Sequence, residues 1–356
     1  MRSESLDFLK ALVNAPSPSG YEQAVANVYR SYTEPFVDRV ETDIHGNVTA
    51  MLHADAPVRI MLAAHMDEIG FLIHYIGEEG LLYFSPIGGH NADVPVGQRV
   101  WVHGRECVPG VVGSMAYHLL ETAAQSKKIH LSELWIDIGA TSREEAENLV
   151  QLGDPITFQH QFQPLMGERA AARGFDNKAG LFIVAEAVRL LRETDGLHPS
   201  VGVYALGTVQ EEIGSRGART AAFDIAPVTG LAVDMDHAID YPAATKSKHG
   251  ELAIGKGPTI SRGANVNHVV FDLLTRAAGE EAIPCQVSVF ASATPTDANA
   301  MQINRGGMAT GLVGVPIRYM HTPSETLSLK DVEDCARLVA AYCRRVTPEM
   351  DFKPGA

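Results

Sequence analysis

Apolar positions fall into two rhythms along this chain, and the rhythms divide it into three parts. Residues 6–13 and 21–32 carry apolar side chains at helical spacing, separated by Pro16-Ser17-Pro18-Ser19-Gly20. The prolines stop the first helix, and Ser19 is placed to cap the second. Strand patterns follow at 47–52 and 59–64. The second is apolar almost throughout, as in a strand covered on both faces.

From about 74 to 162 the texture changes to Gly, Val and short alternating runs, such as Gly97-Gln98-Arg99-Val100-Trp101-Val102. Turn residues recur about every ten positions, which predicts a small β-barrel or sandwich. After Gly167 the helical rhythm returns, with Leu181, Val184, Ala185, Val188 and Leu191 marking a helix over 176–192. Strands are expected at 201–209, 231–233 and 285–290, and helices at 266–278, 297–304 and 329–345. Such alternation predicts an α/β fold, a sheet sandwiched by helices. The expected organisation is a discontinuous catalytic domain, 1–73 with 163–356, carrying an inserted β-rich domain over 74–162.

Composition narrows the function. The 356 residues are 46% hydrophobic and 20% charged, as in an ordinary globular protein. A net charge of −14 with no basic stripe argues against nucleic acid. No run reaches the roughly 18 apolar residues that span a bilayer, and Asp7 and Lys10 interrupt the first segment, so neither a membrane nor a signal peptide is expected. Cys107, Cys285, Cys335 and Cys343 show no paired spacing, and a reduced, cytoplasmic setting follows. Asn47-Val48-Thr49 is read as a chance sequon.

Five segments put acidic or imidazole side chains at strand or helix ends: Ala64-His65-Met66-Asp67-Glu68, Gly174-Phe175-Asp176-Asn177-Lys178, Gln210-Glu211-Glu212-Ile213-Gly214, Val233-Asp234-Met235-Asp236 and Tyr319-Met320-His321-Thr322-Pro323. Two divalent ions need a bridging carboxylate, a mixed His and Asp/Glu set, and one carboxylate left over as a base. His65 and Asp67 share one side of the strand end, so one can bind metal while the other orients it. Asp176 reads as a helix cap or as a bridge between ions. Adjacent Glu211 and Glu212 diverge, one toward a metal and one toward an attacking water. Ile213-Gly214-Ser215-Arg216-Gly217 is expected to return at once to tight packing. Asp234 is placed at a strand end, and spacing does not separate it from Asp236, His237 and Asp240. His321 precedes the last helix, with Ser324-Glu325 as an alternative capping pair. There is no His-Glu-x-x-His, Gly-x-Ser-x-Gly or phosphate-cradling loop.

Taken together, these segments resemble the cocatalytic-metal aminopeptidases, the family of glutamyl aminopeptidase and the tetrahedral aminopeptidases. The likeness runs along nearly the whole chain and includes Ile69-Gly70-Phe71, Ala179-Gly180, Ser215-Arg216-Gly217-Ala218, Thr296-Asp297-Ala298 and Pro323-Ser324-Glu325. It implies a three-layer αβα catalytic domain of the zinc-exopeptidase type. It also implies His65 and Asp234 on one ion, Glu212 and His321 on the other, and Asp176 between them. Glu211 would be the general base and Asp67 the residue that orients His65. Two divalent ions per subunit, zinc or cobalt, are implied, with short peptides as substrates. The inserted domain would mediate homo-oligomerisation, often to a hollow dodecamer, with Trp101 and Trp135 as candidate anchors. Asp236 stands where the family commonly has Thr, an extra acid able to alter metal preference or reach the substrate amine. A deacylase, a carboxypeptidase and a silent scaffold are the alternatives, and the last suffers because every ligand position and Glu211 are filled.

Overall fold

Alternation within the strand Val58–His65 organises the larger part of the molecule. Ile60, Leu62 and Ala64 face a core built with the helices Ser3–Asn14, Gln23–Thr33, Phe175–Thr194, His268–Glu280 and Leu329–Arg345. Met61 and Ala63 face the other way, onto the helices Arg216–Ile225 and Asp297–Gln302. Period-two alternation in an apolar strand thus buries both faces and gives three layers, helix, sheet and helix. The computed structural model describes residues 1–119 and 128–355.

The sheet has eleven strands, and its centre runs Val201–Thr208, Val58–His65, Thr229–His237, Ala309–Arg318. These four are mutually parallel, so their C-terminal ends come together along one edge. Antiparallel strands close both sides, Val48–Leu52 beside the first and Glu325–Ser328 beside the last. All eight residues of Val201–Thr208 are buried.

The smaller part is a closed six-stranded barrel whose strands run from Gly70–Ile76 to Pro155–Phe158. It has its own core, including Phe71, Phe84, Val100, Val102, Ile136 and Ile156. Along Cys107–Gly113 inward Val108 and Val112 alternate with outward Cys107, Pro109 and Val111. The barrel's first strand starts five residues after His65, which keeps it against the end of the central strands.

Three local expectations change. Ser19 does not cap the second helix, which starts at Gln23 with Glu22 in the cap position. Its hydroxyl instead donates to Asp67 Oδ2 at 2.6 Å, because a fully buried carboxylate needs donors. The strand expected at 231–233 extends to His237, since pairing continues through Asp236 opposite Pro316 and His237 opposite Ile317. Asp234 therefore sits inside the strand and not at its end. Packing after the glutamate pair resumes only at Gly217; Ile213 is 44% exposed.

Asn47 is fully buried, and its side chain donates to Asp43 and to the Gly217 carbonyl, so the sequon is structural. All four cysteines are free thiols. Among the described residues, no helix is long and apolar enough to cross a membrane.

Candidate metal centre

The C-terminal edge of the parallel strands gathers two triads of ligand atoms. His65, Asp176 and Asp234 form one, and Asp176, Glu212 and His321 the other, each with its ligand atoms within 4.8 Å of one another. Asp176 belongs to both. Its Oδ1 lies 3.3 Å from His65 Nε2, and its Oδ2 lies 3.4 Å from His321 Nε2. Asp234 Oδ1 is 3.8 Å from His65 Nε2, and Glu212 Oε1 is 3.5 Å from His321 Nε2. A tetrahedron with metal–ligand bonds of about 2 Å has edges of roughly 3.3 Å, so this spacing suits ions between the side chains. Glu211 is in neither triad; its Oε2 lies 3.9 Å from His65 Nε2.

Backbone contacts orient both imidazoles alike. His65 Nδ1 donates to the Asp67 carbonyl at 2.9 Å, and His321 Nδ1 to the Gly89 carbonyl at 3.0 Å. Each ring therefore directs the Nε2 lone pair into the site, as a metal-binding histidine must. Gly89 comes from the barrel, so the barrel helps to shape the centre. The Glu325 carboxylate joins two ligand segments by accepting the N–H of Asp176 at 3.0 Å and of His321 at 2.9 Å. Asp67 accepts the N–H groups of Glu211 and Glu212 at 3.0 and 3.1 Å.

Beneath Asp176 lies a buried ion cluster. Glu68 pairs with Arg173 and, at 2.8 Å, with Lys178, residues that flank the bend at Asp176. Asp176 and Asn177 leave helical geometry at φ −79°, ψ 105° and φ −121°, ψ 32°, which turns the Asp176 carboxylate out of the helix. Gly174 has φ +64°, and a Cβ there would stand 2.8 Å from Glu68 Oε2, so the close approach of Glu68 needs glycine.

Charge in the site is unbalanced without cations. Burial pushes the Glu211 carboxyl up to about 8 and Asp234 well above the carboxylate range. Glu212 is raised too, by burial and against the pull of His321. His321 is driven up to about 11 by the carboxylates of Asp176 and Glu212. Burial opposes protonation of His65, but Asp176 and Asp67 override it and raise its pKa. Asp176, though buried, is held below its ordinary value by the two imidazoles. Crowded hard carboxylates alternating with imidazoles make a donor set for divalent ions, and the residues present fit such ions.

Residues 46–338 match the profile of the M42 glutamyl aminopeptidases. The chain belongs to that family. The M42 enzymes are metal-dependent aminopeptidases, and this chain is one of them. It is 35% identical to the lysyl aminopeptidase of Pyrococcus furiosus over 98% of its own length and 99% of that protein. The structure of the TET aminopeptidase from a marine-sediment Thaumarchaeota archaeon superposes with a TM-score of 0.93, at 35% identity, covering 97% of each chain. The Pyrococcus horikoshii TET1 peptidase superposes with a TM-score of 0.85, at 32% identity, over 96% of this chain and 100% of its own.

In this M42 enzyme all seven residues singled out from sequence lie at one site: six carry carboxylate or imidazole atoms that face it, and Asp67 lies fully buried behind His65. Asp240 turns outward and pairs with Arg318 at 2.6 Å, whereas His237, though exposed, lines the cavity beside the centre. From sequence, Glu325 stands out only as an alternative cap and, like Asp297, as part of a family motif. Asp297 is buried, accepts from Thr208 at 2.6 Å, and is pushed up to about 6 by burial. The acid in a predicted buried helix start was the signal for it. The centre opens into a cavity of about 600 Å³ lined also by Asp236, Phe290, Pro295, Thr296, Leu312 and Met320.

Proposed function

We propose that two divalent ions, zinc or cobalt, occupy this centre, with His65 and Asp234 on one, Glu212 and His321 on the other, and Asp176 bridging. The observation that carries this reading is the membership of Asp176 in both triads through its two separate oxygens. When bound, the ions would polarise the scissile carbonyl and make water at the site more acidic. Glu211, close to His65 yet outside both triads, takes the proton of the attacking water and returns it to the departing amine. Without ions burial raises the Glu211 carboxyl to about 8 and keeps it protonated near neutral pH, so cations beside it are what would free it to act as a base. Asp67 orients His65 and fixes the backbone beneath both glutamates. Substrates are short peptides with a free N-terminus.

The reading extends to assembly. The barrel exposes Tyr75, Val111, Met115, Leu119, Leu149 and Leu152, a set that suits contact with further copies of this chain. The Pyrococcus horikoshii peptidase can assemble into a tetrahedron or a large octahedral shell. We infer a homo-oligomer organised partly through the barrel, with a dodecamer as the expected closed form. Trp101 and Trp135 are only half-buried in the barrel and remain the candidate anchors. The free thiols support a reducing, cytoplasmic setting.

Chelation followed by reconstitution with Zn²⁺ or Co²⁺ tests the reading, using free-amine and N-acetylated peptides side by side. The free-amine peptides alone are cleaved, and only after metal is restored. Preferential cleavage of the N-acetylated set would make the enzyme a deacylating hydrolase instead.

A further inference from the structure

One acidic side chain in the cavity has no part in the centre. Asp236 follows Asp234 by two residues in the strand Thr229–His237, so both carboxyls leave the same face of the sheet. Room for them comes from the neighbouring strand at Gly314, opposite Asp234, where a Cβ would stand 3.1 Å from Asp236 Cβ. Asp236 Oδ2 accepts from the Thr259 hydroxyl at 3.0 Å, and Oδ1 from the His237 N–H at 2.9 Å. The Ser288 hydroxyl also bonds to this carboxyl. All three donors are neutral and hold the carboxyl in place.

No lysine or arginine lines the cavity among the described residues; beyond the two imidazoles of the centre, His237 lines it beside Asp236. Phe290, Pro295, Leu312 and Met320 supply apolar wall. A wall of that kind suits a hydrocarbon stem, and a carboxylate at its end suits a cation. Two residues of strand advance about 7 Å, the same order as the reach of an extended lysine side chain.

We propose that Asp236 recognises the cationic end of a lysine or arginine side chain on the substrate's N-terminal residue. The proposal rests on the aminopeptidase reading and adds a substrate class to it. Lysine and norleucine are a matched pair for the test, because they share the straight stem and differ by the ammonium group. A hydrogen-bonded charge pair predicts about ten-fold to a hundred-fold discrimination.

The metal-loaded enzyme is assayed on lysyl, arginyl, norleucyl and glutamyl p-nitroanilides, and binding of free L-lysine and L-norleucine is measured by calorimetry. Lysyl and arginyl substrates exceed norleucyl by at least ten-fold in kcat/KM, and L-lysine binds more tightly than L-norleucine. Asp236→Asn keeps the size of the side chain and collapses both differences, chiefly through KM. Equal or better use of norleucine in the wild-type enzyme, in turnover and in binding, overturns the proposal while leaving an aminopeptidase. The wild-type comparison decides the matter even if the variant does not fold. Turnover of N-acylated substrates only would remove the aminopeptidase reading and this proposal with it.

Discussion

The carboxylate of Asp67 accepts the backbone N–H of Glu211 at 3.0 Å, and its second oxygen accepts that of Glu212 at 3.1 Å. One fully buried side chain thus fixes the loop that carries both a metal ligand and the proposed base. Asp67→Ala removes both acceptors and the partner of Ser19. We expect kcat to fall about 10- to 100-fold with weaker metal retention, the usual scale for residues that support ligands. Steady-state kinetics with elemental analysis check this; unchanged kcat at full metal occupancy contradicts it.

Metal binding should release protons. Without metal, His321 has its pKa raised to about 11, so at neutral pH it carries a proton that must leave before Nε2 can act as a ligand. Because the proton is held below about 11, apparent affinity rises as pH increases through the neutral range. Calorimetric titration of the chelated protein with Zn²⁺ in buffers of different ionisation enthalpy counts the protons. Buffer-independent heats would contradict the expectation.

Much of the centre was legible because an unbroken apolar strand announces where its polar end must go. His65 follows such a run, and Glu211 and Glu212 follow another, so their placement came from hydrophobic pattern alone. Asp234 was misplaced because the pattern ends at Val233, whereas hydrogen bonding to the adjacent strand continues to His237. Ser19 was misread for a related reason. Its partner, Asp67, is 48 residues away, and local capping rules do not see such a contact. Nor does periodicity reveal the grouping of Glu68 with Arg173 and Lys178, which depends on how two distant segments pack. The barrel's alternation was readable, but the approach of Gly89 to His321 was not.

Stability should depend on that buried ion cluster. Glu68→Gln leaves Arg173 and Lys178 without their counter-charge and should cost about 3–5 kcal/mol near neutral pH. Arg173, Lys178 and the Ser17 N–H hold the Glu68 pKa at about 2, against 4.5 when exposed, even though burial works in the opposite direction. A folded pKa below the unfolded one means that the contribution is complete above about 4.5 and lost as pH falls to about 2. Denaturant unfolding of wild type and variant across that range should show the gap narrowing with acid. A gap that widened as pH fell would contradict this assignment.

Assembly gives a further check. Light scattering on the intact protein at micromolar concentration should report a mass well above the monomer. Charged replacements at Val111 and Leu152, both exposed on the barrel, should lower that mass while the fold is retained by circular dichroism. A monomeric wild-type protein contradicts the inferred homo-oligomer and leaves the metal centre untouched.

The most direct test of the account is Glu211→Gln. The substitution keeps the size and position of the side chain and removes its capacity to take a proton. Glu211 belongs to neither ligand triad, so the variant should retain two divalent ions per chain by elemental analysis. Its kcat should fall about 10²-fold or more, because the step that activates water has lost its base. Two ions bound with kcat close to wild type would contradict the assigned role of Glu211, and loss of metal from the variant would make it a ligand instead.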